Sequence, residues 1–194
     1  MSVWIDLAES LALKAASHLE PARDFLEACL SDRDSGEGEE SLPGPTCALL
    51  ASEGVVAGLD KEGRITTRDT ASEVSGLPVL TGLPALTEGP GEKASLPQVV
   101  LGLGILRVFE QAPQVMSRLS EINLEDLEQP RVVLSGGIVA DLGQGGYADK
   151  VQRLHQVMVQ AAQLNIKPKR IDLRFGCQVI VECDKDPRGT DKEV

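Results

Sequence analysis

The sequence predicts an α+β domain: a mostly antiparallel β-sheet with two packed helices, ending in a β-hairpin. Three observations predict it. Short apolar stretches joined by hairpin-length links dominate residues 46–183. Two longer segments carry helical spacing instead. The order is then strands, helix, strands, helix, hairpin, which belongs to the α+β class.

Residues 4–19 read as a helix with Leu7, Leu11 and Ala15 on one stripe, and Pro21 interrupts it before a second helical piece ending near Leu30. Residues 31–45 are acidic and rich in Gly, Ser and Pro, a composition that cannot bury a core and reads as a linker. The expected organisation is therefore a helical segment (1–30), a linker (31–45), a strand-rich domain (46–184) and a charged tail (185–194).

Thr46–Ala51 and Val55–Leu59 are apolar strands separated by Ser-Glu-Gly. Asp60-Lys61-Glu62-Gly63 is a turn with glycine where φ is positive, and residues 64–67 return as a third strand. Pro78 marks the strand at residues 77–82 as an edge or irregular one. Ser95, with Gln98 three residues on, has the capping-box pattern of a helix start. The helix that follows is apolar nearly all round and ends at Pro113. Gly102 and Gly104 weaken it by about 1 kcal/mol each against alanine, tolerable if it packs closely on a sheet. Residues 120–124 and 131–134 are strands, and Ser135-Gly136-Gly137 turns the chain into a strand at 138–142. The last helix covers about 148–164, with Val151, Leu154, Met158, Ala161 and Asn165 at helical spacing. Pro168 separates it from the terminal hairpin.

That hairpin has two arms around Gly176, the expected reversal point with positive φ. Ile171, Leu173 and Phe175 alternate with Asp172 and Arg174; Cys177, Val179, Val181 and Cys183 alternate with Gln178, Ile180 and Glu182. One set faces a core and the other the opposite side. Only a short charged tail follows, so the last strand is expected to be an uncovered sheet edge, which is a liability or a docking site.

Composition narrows the function. Acids outnumber bases 30 to 19, for a net charge of −11, which disfavours non-specific nucleic-acid binding. The longest uncharged stretch, residues 94–106, is too short for a bilayer, which takes about 20 residues. The N-terminus lacks a basic region followed by an apolar run, so no signal peptide is visible. Cys29, Cys47, Cys177 and Cys183 form no CxxC pair; they read as small buried hydrophobes rather than as a zinc or redox motif.

No stretch argues for catalysis, a cofactor or a metal. Gly143-Gln144-Gly145-Gly146 precedes a helix but lacks the Walker ending and the dinucleotide spacing; it reads as a flexible strand-to-helix connection. His18 and His155 have no Cys or acid at metal spacing. Ser117 and Ser135 lack a nucleophile motif. The carboxylate runs fall in the linker and tail.

Four groups of residues carry a resemblance. They are Cys47-Ala48-Leu49-Leu50 with residues 59–65; Leu77-Pro78-Val79-Leu80-Thr81-Gly82; Leu119-Ser120-Glu121-Ile122 with residues 132–137; and residues 171–175 with Gln178-Val179-Ile180-Val181. Lys150 ahead of a helix ending near Leu164 fits as well. In this order and spacing, over about residues 45–183, the sequence resembles the β domain of bacterial division proteins of the FtsQ/DivIB type. Members of that family carry a cytoplasmic tail, one transmembrane helix and a POTRA module ahead of this domain. The 44 residues preceding the match hold no membrane span, so membrane association is expected only through an upstream anchor.

The resemblance implies a non-enzymatic scaffold outside the inner membrane that binds partners of the FtsB and FtsL type. It implies that Arg174 and Phe175 contribute to binding a partner that adds a strand and brings acidic side chains. Gln178, Ile180 and Glu182, on the outward face of the last strand, complete the expected site. The rivals are a generic protein-interaction adaptor with an unrelated client and a small-molecule enzyme using residues 143–146.

Overall fold

The computed structural model describes residues 2–5, 42–68, 76–176 and 178–183. Ten strands among them form one sheet: β1 (Ser2–Ile5), β2 (Ala48–Ser52), β3 (Val55–Leu59), β4 (Ile65–Arg68), β5 (Val79–Thr81), β6 (Leu119–Asn123), β7 (Arg131–Leu134), β8 (Ile138–Asp141), β9 (Pro168–Asp172) and β10 (Val179–Cys183). Their order across the sheet is β1-β10-β9-β8-β7-β6-β5-β2-β3-β4. The helices are α1 (Pro97–Glu110), a single turn α2 (Pro113–Met116) and α3 (Tyr147–Gln163). The α+β class with a mostly antiparallel sheet is what the sequence predicts.

The three parallel junctions are β2–β5, β5–β6 and β8–β9. Two of them are bridged by helices, because a parallel neighbour needs a long crossover: α1 and α2 join β5 to β6, and α3 joins β8 to β9. Both crossovers step the same way along the sheet between strands of the same direction. Right-handed crossovers then put both on one face, where α1 packs against α3.

The core lies between that face and the helices. Leu50, Leu80, Ile122, Val132, Ala140, Ile171 and Val181 rise from the strands to meet Val99, Ile105, Leu106 and Phe109 of α1 and Val151, Leu154 and Val157 of α3. Gly102 explains itself here: a Cβ on it would sit 2.9 Å from the end methyls of Leu80 and of Leu124, so an alanine would force these buried leucines to shift. Gly104, with nothing within 4 Å, has no such reason. At its other end α3 closes with Asn165 at φ 54°, the Ile166 N–H bonding back to Ala161 and the Asn165 N–H to Ala162. This is a Schellman ending, with asparagine in glycine's usual place.

The structure corrects several expectations. Ser2–Ile5 is a strand, not the start of a helix at residue 4, and it pairs antiparallel with β10. The last strand is therefore covered, by a segment from the opposite end of the sequence. The other early helical residues and the linker up to residue 41 lie outside the described residues, as do residues 184–194. β5 is an interior strand: Pro78 stands just before its first paired residue and supplies a carbonyl to the Leu49 N–H. Helix α1 starts after Leu96 with Pro97 in its first turn, and Ser95 makes no cap, bonding instead to Glu88. Pro113 opens α2 rather than merely ending α1. The terminal hairpin is wider than a tight turn. β9 ends at Asp172, β10 begins at Val179, and Gly176 does not adopt positive φ.

Candidate partner-binding edge

The helix-free face of β7–β10 is knitted by charges. Asp141 on β8, buried, receives Arg131 of β7 at 3.1 Å and Arg170 of β9 at 2.6 Å. Register places Asp172 of β9 directly beside Asp141. Two adjacent carboxylates repel, and a third arginine offsets this: Arg174 grips Asp172, with Nη2 2.6 Å from Oδ2 and Nε 3.0 Å from Oδ1. Arg174 holds the Asp172 carboxyl below its ordinary pKa, and Asp172 raises that of Arg174. Arg174 Nη1 also donates to Gln129 Oε1 at 3.1 Å. Among the described residues three of its five N–H donors are thus engaged, which leaves two for an outside carboxylate. Its stem runs over Gly143 at φ +61°, where a Cβ would lie 2.9 Å from the Arg174 Cγ.

The loop after β9 is held from beneath. Arg153 of α3 is 7% exposed, yet among the described residues its partners are carbonyls rather than carboxylates. Its guanidinium donates to the Phe175 carbonyl at 2.6 Å, to Gly176 at 3.2 Å and to Leu173 at 3.3 Å. One turn earlier, Lys150 donates to the Gln144 carbonyl at 2.7 Å and lies over the Tyr147 ring. Burial, then the neighbouring Arg153 charge, push its pKa down. Two buried cations on α3 thus tie down the two loops, 143–146 and 173–178, that meet at Arg174. Phe175, expected on the core side with Ile171 and Leu173, is instead 48% exposed, because the strand has ended and the loop turns it outward.

Backbone direction at the edge follows from alternation. The Leu173 N–H donates to Asp141 on β8, so Asp172, one residue back, turns its amide toward β10. Asp172 lies opposite Ile180, so the Ile180 N–H faces β9, and those of Val179 and Val181 face the other way. Their register partners on that side are Ile5 and Val3 of β1.

The structure gathers Arg174 and Phe175 on one loop, exposes Gln178 just ahead of β10, and sets Ile180 and Glu182 on the helix-free face of β10. It adds Arg153, Asp141 and Gln129, which the sequence does not single out, and seats the Arg174 stem over Gly143, which the sequence marks only as part of a strand-to-helix connection. Arg153 had one signal: it falls four residues before Val157 on the buried arc of α3, an odd place for a charge. His155 lines a shallow groove with Val115, Leu134 and Met158. Cys47 and Cys183 are half-buried free thiols, and burial raises the pKa of Cys47. Among the described residues no three His, Cys, Asp or Glu side chains could hold a metal ion, and no helix is long and apolar enough to cross a membrane.

A one-faced mixed sheet, with helices on its inner side and a charged, loop-flanked last hairpin, defines the class: an α+β domain built on a mostly antiparallel sheet. The family model described as "Cell division protein FtsQ/DivIB, C-terminal" matches residues 48–174. The chain belongs to the FtsQ/DivIB family of bacterial cell division proteins, whose role is that of a scaffold in the division machinery. No curated protein matches it.

Proposed function

We propose that this domain recruits division partners of the FtsB and FtsL type by taking a partner strand along β10, with Arg174, Phe175, Gln178, Ile180 and Glu182 as its contact residues. The observation that carries the reading is the loop after β9. It presents an exposed aromatic ring and an arginine with two spare donors, and buried Arg153 fixes its backbone. Aromatic and arginine side chains in such settings dominate interface energies. Main-chain bonding along β10 supplies the pairing, and the Arg174 fork suits an acidic partner side chain better than a lysine would. In this reading the domain works outside the inner membrane and performs no catalysis.

The test is calorimetric titration of the full chain with the extracytoplasmic part of an FtsB-type protein. Arg174→Glu and Phe175→Ala should each weaken binding tenfold or more, about 1.4 kcal/mol. Unchanged circular dichroism shows that both fold. Wild-type affinity in both variants would mean that the partner docks elsewhere.

A further inference from the structure

The edge just described is occupied, by β1. We propose that β1 is a displaceable occupant of the docking edge, so that a partner strand pairs with β10 only by expelling Ser2–Ile5. The inference rests on reading β10 as the docking strand.

The two ends of the sheet are closed differently. At β4, Ile65 is locked by close neighbours: its N–H donates to Glu92, its carbonyl accepts from Gly91, and Arg64 bridges to Lys93. At β10 the cover is one four-residue strand, reached through residues 6–47. By amide direction only Val3 and Ile5 turn their main chain toward β10. Tethering makes so short a pairing possible, because β1 belongs to the same chain and so meets β10 at an effective concentration of the order of millimolar. An occupant held that way yields to an incoming strand that also engages Arg174 and Phe175. The sequence Ser-Val-Trp-Ile, rich in residues that favour strands, shows the kind of segment β10 accepts: short, antiparallel, β-branched and aromatic. While β1 is in place, partner affinity falls by the fraction of chains with an open edge.

The experiment uses the full chain and the extracytoplasmic part of an FtsB-type protein, with amide hydrogen exchange read by NMR. In the free protein the amides of Val3, Ile5, Val179 and Val181 should all be protected. With saturating partner, Val3 and Ile5 should exchange as in a free peptide while Val179 and Val181 stay protected. Val3→Pro/Ile5→Pro removes the two amides facing β10 and should bind the partner at least tenfold tighter. Trp4→Pro, whose amide faces outward, should bind as wild type does. Exposed Val3 and Ile5 amides in the free protein, their continued protection in the complex, or equal affinity of the double variant would each overturn the displacement. The docking reading fails by a different sign: the partner leaves Val179 and Val181 unprotected in the double variant, or does not bind at all.

Discussion

Replacing Arg153 with methionine tests whether a buried cation holds the loop after β9. The guanidinium serves three carbonyls, which are not equal. The Leu173 carbonyl is bonded in a buried setting, whereas those of Phe175 and Gly176 belong to exposed residues. Water can replace the lost donor at the last two. At the first, an orphaned acceptor costs about 1–3 kcal/mol. Methionine fills most of the stem's volume, so the packing loss is small. The expected destabilisation is therefore about 2 kcal/mol, read as a shift in urea midpoint at constant slope. The sharper expectation is local. Exchange of the described amides in 173–178 should quicken far more than that of β6 and β7, and affinity for the partner should drop. Arg153→Lys should recover only part, since one ammonium cannot span three carbonyls as a planar fork does. The full midpoint shift in Arg153→Met with no selective quickening in the loop would refute the reasoning.

Gly102→Ala should destabilise by about 1–3 kcal/mol through overpacking on Leu80 and Leu124, while Gly104→Ala should stabilise by about 0.5–1 kcal/mol from helix propensity; thermal unfolding reads both. Glu88 accepts the backbone N–H and hydroxyl of Ser95, which lower its pKa from the usual 4.5 to about 2. Its contribution is complete above pH 4.5 and is lost as pH falls through about 2. Ser95→Ala should move the Glu88 carboxyl titration, followed by NMR, back toward 4.5. Removing residues 1–44 should leave a cooperative thermal transition, because the described core cluster runs from Ala48 to Val181. Loss of that transition would show that the early residues belong to the core.

Local pattern gave what local physics decides. The hairpins β2–β3 and β7–β8 show in alternation and glycine turns, and α3 in its apolar stripe. What failed depended on partners or strand ends that the local repeat does not show. Pro78 looks like an edge marker until β2 is seen to use its carbonyl. Ser95 looks like a cap, but Glu88 binds it first. Phe175 continues an alternation that the strand has already abandoned. β1 has no turn signal and no neighbour in sequence to pair with, so Trp4 and Ile5 read more readily as helix. Of the candidate site, Arg174 and Phe175 are legible through resemblance, while Arg153 shows in the sequence only as a charge on the buried arc of α3, and its task appears once its carbonyls are in place.

Pairing the first described strand with the last has a consequence for synthesis. At roughly 5–20 residues per second the 194 residues take about 10–40 s to make. Through nearly all of that time Ser2–Ile5 exists without its partner, because β10 is still on or inside the ribosome. An apolar strand kept waiting is open to other edges and to chaperones. When β10 emerges, the proposed docking edge is filled for the first time, and two kinds of strand would compete for it. The nascent chain carries its own candidate at a high local concentration, while any outside strand must diffuse in.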